Sequence, residues 1–366
     1  MSSTTNGRYI MTYIALVVAG LALAGGIRYY AGPEYLACEH YEEGIAEILL
    51  SGKNVVHGPS GDQGLVLKRY VGKLGDRKDV LVLGSSRCQM IGSDLFPGRS
   101  FFNSYVAGAY LGDVLAAYEM YENRGLLPSV VVLGLDPWML AGEADPVFWP
   151  SLRQEYLSMS RRLGISPDVP ANILNKEDLL ALFSLTNLEH DLGRLFPILM
   201  GGIPYYSTDS YADDAYSRMR DGSVVWPLLD RTRSAEDVED LVMASALVTS
   251  LRQGEWYGAD HLDEAATESL EAFVDYLQRE NVQVVFYLAP YHPEAWDLLK
   301  WQSVYPGAEE YLRDLACDKG IAVVGSYDPE ESGATMEDFY DEAHSKERFA
   351  ERAFSALSLQ QAQNET

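Results

Sequence analysis

Four short segments carry residue types suited to chemistry at one edge of a fold. Gly84-Ser85-Ser86-Arg87 directly follows the apolar run Val80-Leu81-Val82-Leu83. A serine on a tight turn into a helix exposes its hydroxyl, and the helix N-terminus favours negative charge developing there. The same residues also read as a serine cap after a glycine turn. Near the far end stands Asp341-Glu342-Ala343-His344. An aspartate and a histidine three apart at the start of a helix can face one sheet edge together. His344 would take a proton from a serine hydroxyl, and Asp341 would orient the ring and stabilise the imidazolium. Alone, the pair reads as a capping aspartate and a surface histidine. Asn103-Ser104-Tyr105-Val106-Ala107-Gly108 offers a glycine whose N–H would point at an oxyanion, or a plain loop glycine. Gly134-Leu135-Asp136-Pro137-Trp138 brings a polar side chain to the end of another apolar run, or a turn aspartate before proline.

These segments fall at the ends of predicted strands. Apolar runs predict strands at 80–83, 100–103, 130–134, 282–288 and 321–324. Helical spacing predicts helices at about 111–123, 263–279, 308–319 and 345–360. The alternation predicts a parallel sheet in a three-layer α/β/α domain, and ligands in such sheets bind at the carboxyl ends of strands. Residues 34–50 read as a helical arm, followed by a Gly/Ser/Asn-rich loop and a short helix near 65–74. The block 140–262 breaks the rhythm and reads as a largely helical insertion, with a helical stretch at 179–195, turns at 201–206 and an acidic loop at 209–214. The expected organisation is a cytoplasmic 1–9, a span 10–27, an arm 28–75 and a domain 76–366.

Ile10 to Ile27 are 18 residues without a charge, bracketed by Arg8 and Arg28. At about 1.5 Å per residue they reach roughly 27 Å, enough for a bilayer core. Tyr13, Tyr29 and Tyr30 sit where interfacial aromatics belong. The segment is expected to be a transmembrane signal anchor, with cleavage after Ala24 as the alternative. Either way the main domain is expected outside the cytoplasm, in the periplasm or at the cell surface.

The net charge of −26, from 54 acidic and 28 basic residues, argues against nucleic acid and anionic membrane surfaces as partners. Lysine is scarcer than arginine, which fits a salt-rich habitat as well as ordinary solubility. Cys38, Cys88 and Cys317 form no CxxC pair. His40, His57, His190, His261 and His292 show no HxxxH spacing, and Asp260-His261 with Asp263 reads as an acidic loop, so no metal or other cofactor is called for. His292 is a secondary candidate after the fourth strand. The first turn lacks the spaced glycines of a dinucleotide site.

Taken together, the blocks resemble the SGNH (GDSL-like) hydrolase superfamily. Gly84-Ser85-Ser86 resembles its Gly-Asp-Ser block, which implies Ser86 as nucleophile. Val106-Ala107-Gly108, after Asn103, resembles the block with the oxyanion-hole glycine, and Asp341 to His344 the terminal Asp-x-x-His block. The resemblance covers about 79–139 and 282–354, and implies an SGNH/flavodoxin-like sheet. Two positions depart from the pattern. Asp136 stands where the family has an oxyanion-donating asparagine, and an ionised carboxylate donates no hydrogen bond. Ser85 replaces aspartate and is followed by Arg87, which would bind a substrate carboxylate or phosphate, or pair with a neighbouring acid. These departures, with Leu288-Ala289-Pro290-Tyr291-His292-Pro293 and Gly325-Ser326-Tyr327-Asp328-Pro329, resemble a membrane-anchored branch that modifies envelope polymers. That branch includes the teichoic-acid D-alanyl transfer protein and the acetyltransferases of alginate and related exopolysaccharides. The expected function is a serine O-acyl esterase or acyltransferase acting on envelope or exported glycans. Ser86, Asp341 and His344 would be catalytic, with Gly108, Asp136, Arg87 and Asn103 at the oxyanion or substrate. A multi-span O-acyltransferase is an implied partner. The alternative is an inactive scaffold that binds a glycan or an envelope assembly partner.

Overall fold

The computed structural model describes residues 39–57, 61–141, 146–165, 205–245, 247–248, 261–302 and 304–357, with 19, 20 and 23. In chain order the strands are β1 (Asn54–His57), β2 (Val80–Leu83), β3 (Phe101–Asn103), β4 (Val130–Gly134), β5 (Tyr205–Thr208), β6 (Ser217–Arg218), β7 (Val224–Val225), β8 (Gln283–Leu288) and β9 (Ala322–Gly325). The helices are α1 (Glu39–Leu50), α2 (Gln63–Lys73), α3 (Leu111–Asn123), α4 (Arg153–Leu163), α5 (Leu228–Arg231), α6 (Ala235–Ala244), α7 (Glu264–Arg279), α8 (Pro293–Leu299), α9 (Val304–Lys319), α10 (Pro329–Ser332) and α11 (Glu347–Phe354).

The main sheet is parallel throughout, in the order β3-β2-β4-β8-β9. Its inner strands are uninterrupted apolar runs because both faces are covered: β2 and β4 are buried along their whole length. Neighbouring strand residues point to opposite faces, and Phe101 and Phe102 show both coverings. Phe102 stacks on Tyr70 of α2 at 4.0 Å. On that side Tyr118 of α3 meets Phe273 of α7 edge-on at 5.4 Å, and Tyr311 of α9 donates to Glu271 Oε1 of α7. Phe101 stacks on Phe96 at 5.3 Å, and Phe96 meets Phe354 of α11. α7 shows why such helices form. Leu270, Phe273, Val274 and Leu277 make one apolar stripe, and Asp263 caps the first turn by accepting from Ala266 N–H. Phe273 is fully buried, so its truncation to alanine would cost about 3–5 kcal/mol.

A second, antiparallel sheet runs β5-β1-β6-β7. It corrects two expectations. The segment expected as a loop after the arm contains β1, whose Val55 and Val56 are buried. The insertion supplies the other three strands, so its described part is not simply helical. Asn54 fastens the seam, donating to Ser210 O and accepting from Arg220 N–H. α9 begins earlier than expected, because Pro306 falls in its first turn, where the missing N–H costs no helical bond. α11 ends at Phe354. The expected span 10–27, the flanking 1–9 and the helical stretch 179–195 lie outside the described residues, apart from 19, 20 and 23. Among the described residues no helix is long and apolar enough to cross a membrane.

Candidate active site

The site sits at the carboxyl ends of β2, β3 and β4. After β2 the chain turns at Gly84 and enters a short 3-10 turn, Ser86–Cys88, capped by Ser85. Only glycine fits there. A Cβ on Gly84 would lie 2.6 Å from the Gly134 carbonyl oxygen and 2.8 Å from Cys88 Sγ, and a Cβ on Gly134 would also meet Cys88 Sγ at 2.8 Å. The two glycines let the turn settle onto the end of β4 with Ser86 at its tip.

His344 arrives from a tight loop closed by a bridge between Phe339 and Ser345 and by Tyr340 N–H donating to His344 O. Its Nε2 lies 2.9 Å from Ser86 Oγ. Its Nδ1 lies 2.9 and 2.8 Å from the two Asp341 carboxylate oxygens. Asp341 is itself fixed, since its Oδ1 accepts from the N–H groups of Ala343 and His344. Burial works against the imidazolium, but the charge and hydrogen bond of Asp341 outweigh it and raise the His344 pKa above the ordinary value. Burial likewise opposes ionisation of Asp341, yet His344 and the two backbone donors hold its carboxyl below the usual range. The structure thus brings Ser86, His344 and Asp341 into one hydrogen-bonded line, as the sequence reading expected of a serine, its base and the base's orienter.

Gly108 is at φ +66°, a left-handed conformation that favours glycine. The loop around it is clamped on every side. Val106 N–H donates to Gly84 O, Ala107 N–H donates to Gln63 Oε1, and the indoles of Trp149 and Trp138 donate to Ala107 O and Ala109 O. Among the described residues nothing accepts the backbone N–H of Gly108 or of Ser86. These two main-chain donors have no described acceptor, and the Gly108 loop is tied to the serine turn by Val106 N–H donating to Gly84 O.

The remaining candidates sit elsewhere. Asp136 is buried behind the serine turn and accepts from Ser85 Oγ at 2.6 Å and from Arg87 Nη1 at 2.8 Å. Burial pushes its carboxyl pKa up, against the pull of Arg87 and Ser85. It offers no donor to an oxyanion. Arg87 is 3% exposed, and its Nη1, Nε and Nη2 donate to Asp136 and to the carbonyls of Ala343 and Ala289, so burial keeps a substrate anion from it. Asn103 is fully buried. Its Nδ2 donates to the carbonyls of Cys88 and Ile91, which holds the chain after Ser86 and leaves no Nδ2 hydrogen for substrate. His292 caps α8, accepting from Glu294 N–H, and burial lowers its pKa to about 4. His261 is exposed, and no group of three metal-ligating side chains occurs among the described residues.

No protein-family model matches the chain, and no curated protein does.

The insertion adds residues that sequence reasoning passed over. Trp226 stacks on Tyr340 at 4.5 Å and its ring lies 5.6 Å from that of His344. Phe148, 49% exposed, faces Gly108, where an added Cβ would come 3.5 Å from its ring. Its backbone N–H and that of Trp149 are both pinned by the buried Asp113 carboxylate. No motif surrounds these aromatics; only their proximity in space marks them.

Proposed function

We propose that this chain is an SGNH-type serine esterase or O-acyltransferase, with a three-layer domain tethered outside the cytoplasm by its N-terminal segment. It acts on acyl esters, acetyl foremost, of envelope or exported glycans. One observation carries the reading: Ser86 Oγ lies 2.9 Å from His344 Nε2, with Asp341 behind the ring. Ser86 attacks the acyl carbonyl as His344 takes its proton. The N–H groups of Ser86 and Gly108 receive the oxyanion. His344 then returns the proton to the leaving alcohol, giving an acyl-enzyme. Water or a sugar hydroxyl resolves it in the reverse sense. A tethered enzyme meets a surface-bound polymer without diffusing, and a multi-span O-acyltransferase would serve as acyl donor partner.

The test uses the full chain in detergent, as wild type and as Ser86→Ala, with a fluorophosphonate probe and an aryl acetate. Wild type should take the label and turn over the ester. Ser86→Ala should do neither, with a loss of about 10⁶-fold. A wild type that stays unlabelled and inert at low and high salt sinks the hydrolase reading.

A second reading, an inactive scaffold binding a glycan or an assembly partner, rests on Asp136. A carboxylate committed to Arg87 and Ser85 supplies no third oxyanion donor.

A further inference from the structure

Behind Ser86 lies a sealed charged pair. Arg87 and Asp136 are 3% and 2% exposed, and their side chains meet at 2.8 Å. The guanidinium lies over the Tyr291 ring, 3.7 Å from its centroid, which fixes its plane. Its bonds then run three ways. Nη1 donates to Asp136 Oδ1 after β4, Nη2 donates to Ala289 O after β8, and Nε donates to Ala343 O at 3.2 Å, one residue before His344. Its backbone N–H donates to Ser85 Oγ, which in turn donates to Asp136 Oδ2. Arg87 is also one residue after the nucleophile. A single side chain therefore ties the serine turn to the loop carrying the base. A second tie, His292 N–H to Glu342 O, joins that loop to the end of β8, where Arg87 also holds.

We infer that Arg87 is a positioning residue, held by Asp136 and Ser85, that sets His344 against Ser86. This rests on the serine-hydrolase reading above. A buried ion pair is often no more stabilising than apolar residues of the same volume, so stability alone does not explain this one. Three directed bonds from one rigid fork are what apolar residues cannot supply. Asp136, at the position of the missing asparagine donor, does different work: it keeps the Arg87 charge paired.

The test compares the full chain in detergent as wild type, Arg87→Lys and the double variant Arg87→Met/Asp136→Asn. Lysine keeps the charge but loses the fork. The double variant removes both charges, so neither is left buried alone. Rates with an aryl acetate are expressed per active site titrated by fluorophosphonate, so misfolded protein drops out. The downfield proton resonance of His344 Nδ1–H, identified by its absence in His344→Gln, reports the base loop without turnover.

Both variants should fold, lose about 30- to 100-fold in kcat with KM within about twofold, and lose or shift the His344 resonance. Arg87→Lys should leave the acid limb of the pH profile in place while its plateau falls. Either folded variant with kcat within about twofold of wild type and an unchanged resonance overturns the inference. Should wild type prove inert, the resonance decides alone: its loss in the variants upholds the positioning role while the hydrolase reading fails. Should one variant not fold, the other carries the comparison.

Discussion

At the scale of single residues, the site is a contest between burial and pairing. Burial disfavours the His344 imidazolium, and the Asp341 carboxylate, bonded to Nδ1, wins. General-base catalysis needs the neutral ring, so kcat/KM for an aryl acetate should rise with pH through a midpoint above about 6.5, the ordinary histidine value. Asp341→Asn removes the opposing charge, so the midpoint should fall while kcat drops about 10⁴-fold. A wild-type midpoint at or below the ordinary value would show that Asp341 does not control the ring. The sign for stability is opposite. A raised folded pKa gives a contribution fully present below the unfolded value and lost as pH rises through the folded one. Protonated His344 therefore steadies the fold most at the pH where the ring cannot act as a base. Asp341, held low, contributes above the ordinary aspartate range and loses that contribution as pH falls through its lowered value.

At the scale of elements, the loop after β3 shows how packing aims a backbone group. Gln63, Trp138 and Trp149 hold the groups flanking Gly108, which sits at φ +66°, and among the described residues nothing accepts its N–H. Gly108→Ala meets no steric block, since the new Cβ would rest 3.5 Å from Phe148. The cost is conformational, about 1–2 kcal/mol for an L-residue in this region. If the loop relieves it by turning, the donor leaves the oxyanion. A kcat loss of about 10²-fold with a stability loss near 1 kcal/mol is expected from kinetics and thermal melts. An unchanged kcat would remove Gly108 from the oxyanion hole. The sequence revealed this loop and the serine turn because they follow apolar runs ended by glycine or a polar residue. β2 and β4 were legible to the residue for the same reason. β1 was not. Four residues with two valines make no local signal, and their partners Tyr205–Thr208 lie far along the chain, so the pairing exists only in three dimensions. Arg87 and Asp136 were legible as chemistry but not as a pair. Their residue types allowed an anion site or a salt bridge, and only the burial of both decides it.

At the scale of the whole molecule, the charge of −26 acts on a shell around a site that is largely paired within itself. Like charges on a compact body repel, and that repulsion is felt over about 10 Å at 0.1 M salt but only about 3 Å at 1 M. Exposed pairs such as Lys73 with Glu43 and Glu47 weaken with salt, yet solvent already screens them and they add little to stability. With 54 acidic against 28 basic residues, relief of repulsion should exceed the loss of such pairs. Tm should therefore climb steadily as sodium chloride is raised from about 0.05 to 1 M. The Arg87–Asp136 pair is sealed, and Asp341 is fixed by hydrogen bonds, so mobile ions screen them little. A neutral fluorophosphonate should then label Ser86 at nearly the same rate across the series. A Tm that stays flat or falls would mean that the acidic surface serves hydration without straining the fold. A labelling rate that moves with Tm would mean that the shell and the site open together, and the Ser86–His344–Asp341 geometry would then depend on how tightly the insertion closes beside Trp226.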